Sequence, residues 1–244
     1  MFLHLGSPPK GPPPPFEAWS VRQLKVLDRA IALAWGRSMA LPLGRALLAS
    51  GTEVQITAML QDALTALLNS GTLPGFSTSL YGPPIRGQEM EDYSGVRLEK
   101  RPDLTISRLS ARPVMNHNAM FYECKILGRG RTIDHYIAQG VARFEKGQYA
   151  WAMRHAGMIG YLVTDSNQDA RSALVERWMH PTSPASCVPL AEVQEDGSAP
   201  LTIAISTHAR NFVLRNGELP GPIALRHLWL GEKLAVVPPK KESV

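Results

Sequence analysis

The sequence predicts an α/β fold, and three observations carry that expectation. Residues 52–69 repeat apolar side chains (Ile56, Leu60, Ala63, Leu64, Leu67) at the spacing of one helix face. Residues 118–127 and 157–163 are short, mostly apolar runs of strand length. Between them, Ile137, Val141 and Phe144 mark an amphipathic helix over about 132–146.

The elements follow in order. Residues 8–15, Pro-Pro-Lys-Gly-Pro-Pro-Pro-Pro, exclude helix and central strand, so 1–15 reads as an extended polyproline arm or flexible leader. From Phe16 to about Ala49 the residues Trp19, Leu24, Leu27, Ile31, Leu33 and Trp35 are helically spaced, and Pro42 and Gly44 divide the segment into two helices. Thr52 caps the helix at 52–69, and Gly71 and Pro74 end it. Residues 75–95, rich in Gly, Pro and acids, read as a loop or irregular hairpin, with strands near 96–107 and 118–127. Gly128-Arg129-Gly130-Arg131 makes a basic turn before the helix at 132–146, which Gly147 kinks or divides, with Gln148 to His155 continuing it. A buried strand at 157–163, a helix at 167–179, a Pro/Ser-rich loop at 181–200 and strands near 201–207 and 222–230 complete a domain spanning 16–235, with 236–244 as a tail.

The 244 residues suit one domain with a real core, and 44% hydrophobic with 19% charged residues are globular values. A net charge of +5 suits a polyanionic partner without by itself implying nucleic acid. Cys124 and Cys187 lie far apart and form neither a metal-ligand spacing nor a disulfide framework, which points to a reducing cytoplasm. No apolar run is long enough to span a membrane, and the N-terminus lacks a charged segment followed by an apolar one, so no signal peptide is expected.

Glu123-Cys124-Lys125 stands out. Strand side chains alternate, so Glu123 and Lys125 share one face while Cys124 points to the other with Tyr122 and Ile126. Asp103, in Arg-Pro-Asp-Leu-Thr-Ile, also reads as strand, and a hairpin would bring its carboxylate beside Glu123. Two carboxylates and an ammonium group at one place suit a hard divalent cation and a phosphate. The competing reading is an ion pair of strand neighbours, worth little on a surface. Here the pair is flanked by Met120, Phe121, Tyr122, Ile126 and Leu127, where a charge is costly without partners.

Pro102-Asp103 followed by Glu123-Cys124-Lys125 resembles the PD-(D/E)xK nuclease superfamily, which implies a restriction-endonuclease-like αβββαβ core with a central mixed sheet, here with extra N-terminal helices and C-terminal strands; the resemblance covers about 50–165. It implies a metal-dependent phosphodiester hydrolase, a DNA endonuclease using Mg²⁺ with Mn²⁺ as a substitute, of the kind found in prokaryotic restriction and anti-phage systems. Asp103, Glu123 and the backbone carbonyl of Cys124 would hold the metal, and Lys125 would touch the scissile phosphate and orient the attacking water. Many relatives carry an acid on the helix before the sheet, which makes Glu53 a further catalytic and metal candidate; the helix macrodipole alone also accounts for an acid there. Thr57 and Gln61 are weaker candidates on that helix.

For nucleic acid the candidates are Arg129 and Arg131, whose glycine-flanked turn can approach a phosphate backbone or simply be solvated, and Gln139 and Arg143. His135, Gln139 and Arg143 recur at i, i+4 and i+8, which equally describes a solvated helix face. RecB-like relatives have Gln-x-x-x-Tyr in this helix; here Arg143 stands at the tyrosine position, and Tyr149 comes six residues later. His208 and Arg210 form a further pair that could bind phosphate or a partner. The chain has no recognisable specificity module, so specificity would come from a protein partner or a homodimer. The alternative from another class is a catalytically silent nuclease-fold protein that binds nucleic acid or serves assembly; an RNase or transposition-type endonuclease is a third.

Overall fold

The computed structural model describes residues 15–89, 91–95, 101–109, 117–163, 170–180, 187–196, 201 and 203–232. The expected arm, apart from Pro15, and the expected tail lie outside them. Helix α1 (Val21–Met39) starts at a capping box in which Ser20 and Gln23 exchange hydrogen bonds. Pro42 opens helix α2 (Pro42–Ser50) at its first turn, where a missing N–H costs nothing. Gly44 lies inside α2 rather than breaking it. Thr52 and Gln55 form a second capping box at the start of helix α3 (Glu53–Ser70), which Gly71 ends in the left-handed conformation.

The sheet is α/β in character, mixed, open and six-stranded, in the order β1-β2-β3-β6-β5-β4. The strands are β1 (Leu104–Ser107), β2 (Ala119–Leu127), β3 (His155–Leu162), β4 (Gln194–Asp196), β5 (Ile203–His208) and β6 (Ile223–Leu230). Strands β2, β3 and β6 are mutually parallel, and the pairs β1/β2, β5/β6 and β4/β5 are antiparallel. Before β1, Tyr81 and Ile85 bridge to Arg108 and Thr105 as remnants of a further strand. Between β2 and β3 the chain crosses over through a continuous helical run: α4 (Ile133–Tyr136), a π turn (Ile137–Val141) and α5 (Ala142–Glu145). Helix α6 (Ala170–Met179) follows β3.

Helices cover both faces. Toward α1 and α3, Trp35 stacks on Tyr161, and Arg226 of β6 bonds Asp28 of α1 at 2.5 and 2.9 Å. Burial outweighs the guanidinium and raises the Asp28 carboxyl to about 6. The 133–145 run and α6 lie on the opposite face, where Gly140 abuts Met158 and Trp178 meets His227 edge-on.

Three expectations are corrected. Residues 148–154 are turns and bends, not helix, because Gly147 at φ +65° and Ala150 at φ +56° take the chain out of helical geometry. The stretch 181–200 contains the edge strand β4. His208 and Arg210 are both buried rather than displayed beside a strand end. Arg210 donates instead to the carbonyls of Ala150, Trp151, Met153, Pro220 and Gly221 at 2.6–3.3 Å. No helix among the described residues is long and apolar enough to cross a membrane.

Candidate active site

Strand β1 pairs with β2 only as far as Leu104 opposite Tyr122. Beyond that point the backbone of Cys124 and Ile126 faces an open edge, because β3 takes the other side of the strand. Two carboxylates close this edge. Asp103, immediately before β1, accepts the Cys124 N–H at 2.7 Å, and Glu53, the first residue of α3, accepts the Ile126 N–H at 3.1 Å. The acids thus replace the missing ladder, and a buried N–H left unpaired there would be costly.

The Lys125 amine is the centre on which the acids converge. Its Nζ lies 2.5 Å from Glu123 Oε1, 3.3 Å from Glu53 Oε1 and 3.7 Å from Asp103 Oδ2. It also donates to the Cys124 carbonyl at 2.7 Å. The side chain of Lys125 is 5% exposed and that of Glu123 fully buried, so neither is a surface ion pair. Burial alone would lower the Lys125 pKa, but Glu123, Asp103 and Glu53 together raise it, so the amine stays protonated.

Glu123 has further partners. Arg143 Nη1 lies 2.7 Å from its Oε1, and the Tyr149 hydroxyl donates to its Oε2. Arg143 also donates to the Tyr149 oxygen at 3.0 Å. Burial, reinforced by the Asp103 charge, still raises Glu123 to about 7 against the pull of Lys125 and Arg143. Burial likewise raises Asp103, against Lys125 and the Cys124 N–H. Arg131 completes the cluster at 3.2 Å from Glu53 Oε2. Three acids and three bases therefore share one place, nearly neutral as a set.

Glu53, Asp103, Glu123, Lys125, Arg131 and Arg143 are thus brought together. Arg129 and Gln139 are not. Arg129, at φ +51°, donates to the carbonyls of Leu48 and Gly51 at the end of α2. Gln139 is exposed on the π turn. That turn also separates Arg143 from the expected solvated face, since the extra residue per turn rotates everything after it. Thr57 bonds Tyr161, and Gln61 bonds the Pro84 carbonyl, so neither joins the cluster. The role of Tyr149 went unread in the sequence; its adjacency to the helix was the only signal, and helical periodicity pointed elsewhere.

Among the described residues no group of three His, Cys, Asp or Glu side chains is disposed to hold a metal ion. The Lys125 amine lies among the three carboxylates, and Glu123 is also bonded to Arg143 and Tyr149. The fold and site define an α/β protein with a lysine-centred acidic cluster at a strand edge. No protein-family model, curated protein or solved structure matches the chain.

Proposed function

We propose that the chain is a metal-dependent phosphodiester hydrolase of the PD-(D/E)xK type, a DNA endonuclease. The observation that carries this reading is the convergence of Glu53, Asp103 and Glu123 on Lys125 beside an open strand edge. The order α3, bridged segment, β1, β2, helical run, β3 supports it, since it follows αβββαβ when the two isolated bridges at Tyr81 and Ile85 are counted as the first strand. A place in a prokaryotic restriction or anti-phage system, with a protein partner or second copy supplying specificity, belongs to the same proposal by analogy of fold alone.

The donor chemistry fits Mg²⁺, with Mn²⁺ as a substitute: the available ligands are carboxylate and carbonyl oxygens. Glu53, Asp103, Glu123 and the Cys124 carbonyl would hold the ion, which when bound neutralises charge on the phosphate and leaving oxygen. Glu123 would have to release part of its present hydrogen bonding to take part. Lys125, kept protonated by its acids, serves as an electrostatic donor to a phosphate oxygen rather than as a general base. Arg131, with its side chain 46% exposed, is placed to meet the backbone of a bound strand.

One observation favours a second reading, a catalytically silent nucleic-acid-binding or assembly module. Both Glu123 oxygens are already taken by Lys125, Arg143 and Tyr149. Supercoiled, linear and single-stranded DNA incubated with Mg²⁺, Mn²⁺ or EDTA separates the two. Cleavage that needs metal and vanishes in Glu123→Ala supports the hydrolase. Salt-dependent DNA binding without cleavage under any condition supports the silent module.

A further inference from the structure

On the same face of the sheet as Glu123, two strands away, lies a buried chain of polar groups with no part in the chemistry above. Glu123 is in register with Met158, and Met158 with His227. His227 Nδ1 lies 2.8 Å from the Tyr136 hydroxyl, and its Nε2 lies 2.7 Å from Ser206 Oγ. The same Oγ is 2.7 Å from His208 Nε2, and His208 Nδ1 is 3.0 Å from Glu145 Oε1. Ser206, His208 and His227 are wholly buried, and Trp178 sits edge-on to both imidazoles. Ser206, His208 and Glu145 have the connectivity of a hydrolase triad. The burial of Ser206 and His208, and the sharing of Ser206 with His227, leave no approach for a substrate carbonyl.

With Glu145 a carboxylate and one proton on each ring, the hydrogen count gives the chain a single direction. A carboxylate only accepts, so His208 Nδ1 donates to Glu145 and His208 Nε2 accepts from Ser206. Ser206 has one hydrogen, so it accepts from His227 Nε2, and His227 Nδ1 accepts from Tyr136. Every atom in the chain is then satisfied. Burial, and secondarily His208, lowers His227 to about 3, so the His227 ring carries a single proton.

Both ends of this chain stand on one helical run. Tyr136 closes α4 and Glu145 closes α5, separated by about 13 Å of helical rise. Between these two fastening points the π turn sets Gly140 against Met158 and leads into Arg143 on Glu123. A π turn is an uncommon conformation that persists where its surroundings fix it. We propose that the Tyr136–His227–Ser206–His208–Glu145 relay is a positioning device, which holds the register of the 133–145 run on the sheet and so keeps Arg143 on Glu123. Its effect on cleavage rests on the hydrolase reading; its effect on the position of Arg143 does not.

Nitrogen-15 spectra of the parent chain should find His208 protonated at Nδ1 and His227 at Nε2; the opposite tautomers would overturn the relay. Ser206→Ala removes the central link without adding bulk. It should speed hydrogen exchange of the Arg143 guanidinium by roughly tenfold or more, as local opening becomes easier. Under the hydrolase reading it should lower kcat roughly tenfold to a hundredfold with KM unchanged, as expected of misplacement. If Ser206→Ala does not fold, Tyr136→Phe, which deletes only the terminal hydroxyl, carries the same test. A folded variant with parental Arg143 exchange refutes the positioning role. A parent that cleaves nothing refutes the hydrolase reading alone, and the tautomers and exchange rates still decide the relay.

Discussion

Lys125 and Glu53 lie 72 residues apart in the chain and meet amine to carboxylate at 3.3 Å. The contact joins the first turn of α3 to the C-terminal half of β2, beside the bonds that Glu53 makes to the Ile126 N–H and to Arg131. A double-mutant cycle of Glu53→Gln and Lys125→Met, read by urea unfolding, should give a coupling of about 1 kcal/mol. Strict additivity would mean that the two side chains do not meet in solution.

From the motif alone, removing one acid should relieve repulsion and leave stability unchanged or higher. The geometry reverses that expectation for Glu123, since Lys125 and Arg143 both depend on it. Glu123→Ala should cost the metal-free protein about 3 kcal/mol, because it strands buried cations. Tyr149→Phe removes one donor to a buried oxygen and should cost about 1 kcal/mol. Denaturant midpoints at the parental value for both would show the cluster to be loosely paired.

Gly140 is where the π turn touches the sheet. A Cβ added there would lie 2.3 Å from the Met158 methyl carbon and 3.7 Å from Glu123 Cγ. Gly140→Ala must push the flexible end of Met158 aside and should therefore destabilise the fold by about 1 kcal/mol. Combining it with Met158→Ala should cost less than the sum of the two single changes, since the second makes room for the first. Thermal melts of the three variants test this, and a neutral Gly140→Ala would mean that the helix stands further off.

Arg129 and Arg131 look equivalent in the sequence and are not. Arg131→Gln should reduce the salt dependence of DNA binding by about one unit of slope, with little change in stability. Arg129→Gln should leave that slope alone and destabilise α2, whose last carbonyls it caps. Titrations at several salt concentrations distinguish them; equal slope changes would place both on the phosphate backbone.

His227 should remain neutral far into acid. Its folded pKa, lowered to about 3, lies below the unfolded value near 6.5. Its contribution is therefore present above pH 6.5 and is lost as pH falls toward 3. The loss from this group alone is on the order of 2 kcal/mol between pH 6.5 and 5. Its ring resonances should not shift down to about pH 4, and a midpoint near 6.5 would show that the ring is hydrated rather than enclosed.

What the sequence disclosed, and what it hid, follows from the range of each interaction. Thr52 capping α3 and the shared face of Glu123 and Lys125 are local, and alternation or capping reveals them. The approach of Asp103 to β2 was legible because a hairpin is a short connection. Arg143 was misplaced because a periodic reading assumes 3.6 residues per turn, and one π turn shifts every later side chain. Tyr149 was missed because Gly147 and Ala150 bend the chain where apolar spacing still looked helical. The inward turn of Arg129 depends on carbonyls of Leu48 and Gly51, which no nearby residue announces.

Arg210 sets a lower limit on how much of the chain can be cut away. Its guanidinium fastens the carbonyls of Ala150, Trp151 and Met153, just after Tyr149, to those of Pro220 and Gly221. Strand β6, meanwhile, separates β3 from β5. A fragment ending near residue 165 would contain every motif residue, yet it would turn the apolar β3 into a bare margin and release the loop that aims Tyr149. The smallest autonomous piece of this protein is accordingly larger than its recognisable signature, and expression of the short piece should yield aggregate rather than a folded domain.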